Sequence, residues 1–120
     1  MIDLRRLIGS WNLVKHGRFD ANGQYHSTGE HMTGQLIYAQ DGSMSVLINK
    51  VKDPAQLSDI IAYSGTYSVE DDKVTHHVKV SPTPDRMKRS GVRLASFVGE
   101  DLVLATEPDA EGRFEIVWRK

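Results

Sequence analysis

Along most of the chain, apolar and polar residues alternate with a period of two in short runs separated by turn residues, which is the pattern of half-buried strands. Two segments break the pattern. Ile2 to Ile8 fits one or two helical turns, with Asp3 as N-cap and Gly9 as the stop. "DPAQLSDIIAY" (53–63) puts Asp53 and Pro54 where a helix begins and spaces Leu57, Ile60 and Ile61 at i, i+3, i+4, so a short amphipathic helix near 54–62 is expected.

The remaining runs predict about eight strands. "SWNLVKH" (10–16) opens the series, and 20–33 is a long loop or irregular edge strand. "GQLIYAQ" (34–40) and "SMSVLINK" (43–50) flank an Asp41-Gly42 hairpin. "SGTYSVE" (64–70) and "KVTHHVKVS" (73–81) flank Asp71-Asp72, and "VRLASFV" (92–98) and "DLVLATE" (101–107) flank Gly99-Glu100. "RFEIVWRK" (113–120) is last. Strands at this spacing, linked mostly by tight turns, imply an antiparallel barrel or sandwich.

Composition adds mainly exclusions. The 120 residues suit one domain, 1–120. Fifteen Lys and Arg against sixteen Asp and Glu leave no basic footprint for nucleic acid. There is no cysteine, and no apolar run long enough for a membrane span or a signal peptide core, so a cytoplasmic location is the expectation. His16, His26 and His31 lack metal-ligand spacing, while adjacent His76 and His77 diverge on a strand, so neither a metal nor a cofactor is expected.

"IGSWNLV" (8–14), after a short helical lead, resembles the Gly-x-Trp opening of lipocalins and other calycin barrels, and the terminal "VWRK" resembles the calycin close. A closer resemblance is to the lipocalin-like domain family of bacteria and fungi. It is carried by "GQLIYAQDGSMSV" (34–46), "IAYSGTYSVEDDKVTHHVKVSPTP" (61–84) and "VRLASFVGEDLVLAT" (92–106), in order and over most of the chain. The polar segment 17–33 and the basic loop 82–91 depart from that pattern. The resemblance implies an all-β, antiparallel, roughly eight-stranded lipocalin-like barrel, with Trp11 and Arg119 as a clamp that closes it.

Alternation then sorts the faces. Val74, His76, Val78 and Val80 share one; Tyr63, Gly65, Tyr67 and Val69 another; Met44, Val46 and Ile48 a third. Their opposite faces are polar, so these are expected to be interior, with Trp11, Leu13, Phe114, Ile116 and Trp118. For 92–98 alternation prefers Val92, Leu94, Ser96 and Val98 inward, whereas the family pattern favours Arg93, Ala95 and Phe97, and the second is the expectation here.

The expected interior is apolar with a polar minority, which is how small-molecule sites are built. His76, Tyr67, Tyr63, Tyr38, Arg93, Met44, Val46 and Val78 are the candidate ligand-binding residues. A core histidine satisfied by a tyrosine hydroxyl explains His76 equally well, and aromatic packing suffices for at least one tyrosine. No catalytic residue can be assigned. The leading expectation is a barrel that binds a small hydrophobic molecule. The alternatives are a small isomerase- or cyclase-type enzyme using acid–base chemistry on a hydrophobic metabolite, and a filled barrel acting through its outer surface, for instance as a homodimer. "RMKR" (86–89) reads as a solvated basic loop, or else as a rim that attracts anions.

Overall fold

The computed structural model describes residues 1–28, 31–85 and 90–120. The basic run 86–89, and with it the reading as an anion-attracting rim, lies outside these. The chain is all-β: a short helix α1 (Leu4–Leu7), then β1 (Gly9–Phe19), β2 (Tyr25–Ser27), β3 (Thr33–Tyr38), β4 (Ser43–Asn49), β5 (Ile60–Glu70), β6 (Lys73–Val80), β7 (Ser90–Val98), β8 (Asp101–Ala105) and β9 (Arg113–Arg119). Among the described residues no helix is long and apolar enough to cross a membrane.

Strands β3 to β9 pair antiparallel in sequence order, and β1 pairs with both β3 and β9. That closes eight strands into a barrel, with β2 as an extra strand beside the far half of β1. The hairpins fall where turn chemistry puts them. Gly42 (φ 94°) and Gly99 (φ 60°) take the left-handed conformation, and Asp71 (φ 55°) is an aspartate doing the same.

The N-terminal segment closes one barrel end. Asp3 caps α1 by accepting from the Arg5 amide at 3.0 Å. Ile2 donates from its amide to the Asp71 carbonyl, and Leu7 is fully buried. The Trp11 indole donates to the Leu7 carbonyl at 2.8 Å, tying the lead to the first strand. The core beneath it includes Leu36, Tyr38, Met44, Val46, Ile48, Val74, Ala95, Leu102, Leu104 and Trp118. Each fully buried large side chain contributes about 1.5–3 kcal/mol.

The structure corrects three expectations. The helix near 54–62 is only a three-residue 3-10 turn, Leu57–Asp59, and Pro54 lies outside it. Ile60 and Ile61 instead begin β5, paired with Asn49 and Ile48. Two adjacent β-branched residues suit a ladder better than a helix. Second, Val80 faces outward at 64% exposure. Val78 pairs with Gly65 but Val80 with Ser64, so Lys79 is an extra residue and the parity of β6 flips. The bulge presses the backbone together: a Cβ on Gly65 would lie 1.9 Å from the His77 carbonyl oxygen, which requires glycine in Tyr63-x-Gly65-x-Tyr67. Third, Phe114 is 47% exposed, at the start of β9 where the wall ends.

Candidate functional site

His76 is 3% exposed, the one buried polar side chain of the core among the described residues. It lies on β6 between Val74 and Val78, opposite Tyr67 of β5 and Gly91 of β7. Both ring nitrogens are engaged. Nε2 lies 2.5 Å from the Tyr38 hydroxyl and Nδ1 2.8 Å from the Tyr63 hydroxyl. Burial, the charge of Arg93 and then His77 hold the His76 pKa down at about 3, so the imidazole is neutral at ordinary pH.

A neutral imidazole donates from one nitrogen and accepts at the other. Tyr38 is buried, and among the described residues its hydroxyl has a single hydrogen-bond partner, His76. Burial keeps that phenol protonated far above its ordinary pKa. Its proton is therefore donated to Nε2, the ring proton sits on Nδ1, and Nδ1 donates to Tyr63. Tyr38 and His76 thereby fix the Tyr63 hydroxyl from behind.

Beside this chain lies a hollow of about 80 Å³, lined by Leu36, Val46, Ile48, Ile61, Tyr63, His76, Arg93, Leu104, Ile116 and Trp118. It is small beside the ~300–1,000 Å³ of most ligand pockets. Arg93 reaches it because β7 turns Arg93, Ala95 and Phe97 inward: Ala95 is 4% exposed and Phe97 packs on the core. The Arg93 guanidinium folds back over Gly91, where a Cβ would meet Nη1 at 3.4 Å, and donates to the Val92 carbonyl at 3.0 Å.

Of the candidate residues, His76, Tyr63, Arg93 and Val46 thus meet at the hollow, and Tyr38 stands behind it. Tyr67 points elsewhere. Its hydroxyl donates to the Ala39 carbonyl at 2.7 Å and its ring meets Tyr38 edge-on at 4.8 Å. Met44 is buried and Val78 half-buried, and neither lines the hollow. Leu36, Ile48, Ile61, Leu104, Ile116 and Trp118 also line it, and the sequence did not mark them as site residues. Alternation puts Trp118 inward, but nothing in the sequence says which inward residues border empty space.

The structure also corrects the Trp11–Arg119 clamp. The cation over the Trp11 ring is Lys120, its Nζ 4.8 Å from the centroid. Arg119 is exposed and forms a two-pronged pair with Asp101 at 2.8 and 2.9 Å, while Lys120, also exposed and just past the end of β9, reaches over the Trp11 ring. Three further histidines make local contacts. His16 bonds Thr28, His26 bonds Asp20 at 2.9 Å and His77 bonds Ser68 at 3.0 Å. Among the described residues no group of three or more His, Asp or Glu side chains is placed to hold a metal.

Comparison with curated protein sequences finds no match. Among solved structures, the chain resembles the crystal structure of a mutant of the fluorescent protein UnaG, with a TM-score of 0.53 over 98% of each chain. At 13% identity that likeness is one of fold. The sequence model of the lipocalin-like domain family matches residues 8–58 and 47–120, and the chain belongs to that family.

Proposed function

We infer that the barrel binds one small, largely apolar molecule in the hollow beside His76. The observation that carries this reading is an unfilled space with aliphatic walls, Leu36, Val46, Ile48, Ile61 and Leu104, and a polar side formed by Tyr63, His76 and Arg93. Apolar burial supplies affinity, and Tyr63 and Arg93 supply orientation, with His76 setting the direction of the Tyr63 hydroxyl. The small volume limits the occupant to a compact molecule of a few carbons, because displacing the walls of a close-packed core is costly.

Titration with 1-pentanol, followed by the methyl NMR signals of Val46, Ile48 and Leu104, tests it. Saturable shifts that vanish in a folded Val46→Phe protein support the reading, and no saturable shift contradicts it.

A second reading rests on the continuous Tyr38–His76–Tyr63 chain. Such a chain can support proton transfer at the hollow, Tyr63 acting as acid, its phenolate held by the His76 Nδ1–H hydrogen bond until it takes a proton back from the product or from water. Enzymatic turnover requires a Tyr63→Phe protein that still binds the substrate but no longer converts it.

A further inference from the structure

Trp118 is 1% exposed and lines the hollow. Its Nε1 is the single buried side-chain polar atom without a hydrogen-bond partner among the described residues. An indole nitrogen can only donate, and folded proteins rarely leave a buried donor without an acceptor unless the site has a use for it. Arg93 presents a second donor-only group to the same space. Among the described residues Arg93 meets the Val92 carbonyl and takes part in no ion pair. Its charge is felt inside the barrel, since it helps to keep His76 unprotonated. His76 itself has both nitrogens occupied. The unmet demand of the hollow is therefore for an acceptor carrying negative charge, next to walls that accept only hydrocarbon.

We propose that the ligand of this hollow is a short-chain aliphatic carboxylate, its oxygens shared between the Trp118 indole N–H and the Arg93 guanidinium and its chain against Leu36, Val46, Ile48 and Leu104. This rests on the reading of the hollow as a ligand site. A carboxylate taken from water loses its hydration, and a guanidinium with an added N–H donor replaces it with charge-assisted hydrogen bonds. A free amine would meet the Arg93 charge. A neutral alcohol fits the walls and offers an acceptor, but no charge for the guanidinium to pair with. The volume of about 80 Å³ selects short chains over long ones.

Calorimetric titration of the intact protein with butanoate, pentanoate and hexanoate, and with the alcohols of the same chain length, provides the test. The carboxylates bind about tenfold or more tightly than the matching alcohols, the gain of one charge-assisted contact. Arg93→Met removes that preference while alcohol binding persists. Trp118→Phe, which keeps an aromatic ring and removes the N–H, weakens the carboxylate by about tenfold. In the unaltered protein the Trp118 indole proton resonance moves downfield on adding pentanoate. Equal affinity for acid and alcohol, or a stationary indole proton at saturation, overturns the carboxylate assignment and leaves the ligand site standing. Absence of saturable binding by either series overturns both.

Discussion

The Tyr38 hydroxyl sits 2.5 Å from His76 Nε2, with both side chains buried, and of the two His76 alone lines the hollow. Because Tyr38 has nowhere else among the described residues to send its proton, this contact sets the His76 tautomer and, through Nδ1, the direction of Tyr63. Tyr38→Phe leaves a buried ring nitrogen without its donor, at a cost of about 1–3 kcal/mol. Urea unfolding measures the loss. Nitrogen chemical shifts of His76 then show a mixed tautomer in place of the single Nδ1–H form. Unchanged stability together with an unchanged tautomer contradicts the assignment.

The same burial has a pH signature. The folded protein protonates His76 only near pH 3, against the ordinary 6.5 of an unfolded chain. Between those values the unfolded chain binds the extra proton, so stability falls as pH falls, by up to about 1.4 kcal/mol per pH unit, and the contribution is level above pH 6.5. His16, also held low by burial and Lys50, acts in the same direction. The two are separated by NMR titration of the ring carbons. The His76 signal stays in its neutral position down to the acid edge of the folded range. A midpoint near 6.5 contradicts the buried placement.

The two ends of the chain differ in weight. Arg119 pairs with Asp101 on the outside and is 61% exposed, so Arg119→Ala costs no more than about 1 kcal/mol. Leu7 is fully buried under the N-terminal lead, so Leu7→Ala costs about 2–5 kcal/mol. Thermal melts of the two variants order them. A more damaging Arg119→Ala would restore it as the barrel clamp.

Strand β6 separates its register from simple alternation. Val80→Lys places a charge on the outer face past the bulge and changes stability by no more than about 0.5 kcal/mol. Val74→Lys puts the same charge into the core and unfolds the protein. Gly65→Ala forces a methyl group against the His77 carbonyl and costs about 1–3 kcal/mol or more. Circular dichroism melts distinguish the three. Equal damage from the two lysines contradicts the bulge.

Much of this architecture is legible in the sequence. Asp41-Gly42, Asp71-Asp72 and Gly99-Glu100 mark their hairpins, and alternation places Trp11, Val46, Val74, His76 and Trp118 inward. It fails where one residue is inserted. The register shift after Leu13 and the bulge at Lys79 each flip a face, and neither has a local signature as strong as a turn. The inward face of β7 follows from the family pattern, because period two alone prefers the wrong side when Arg93 is the residue turned in. Lys120, one residue beyond Arg119, lies over Trp11, because the Arg119 guanidinium is engaged by Asp101, and nothing in the terminal "WRK" says which cation will take the ring. The hollow itself is a property of how ten side chains fail to fill a space, and the orphan indole N–H of Trp118 is a property of what lies around it. Neither is written in any one stretch of chain.

Whether a molecule enters the space beside His76 is decided by isotope-filtered NOE spectroscopy on labelled protein with unlabelled 1-pentanol, or with pentanoate. Binding there gives cross-peaks from the bound chain to the ring protons of Tyr63, His76 and Trp118 and to the methyl groups of Val46, Ile48 and Leu104. Cross-peaks confined to outward residues such as Leu47 and Val80, with none to the Tyr63 or Trp118 rings, would contradict the proposed site.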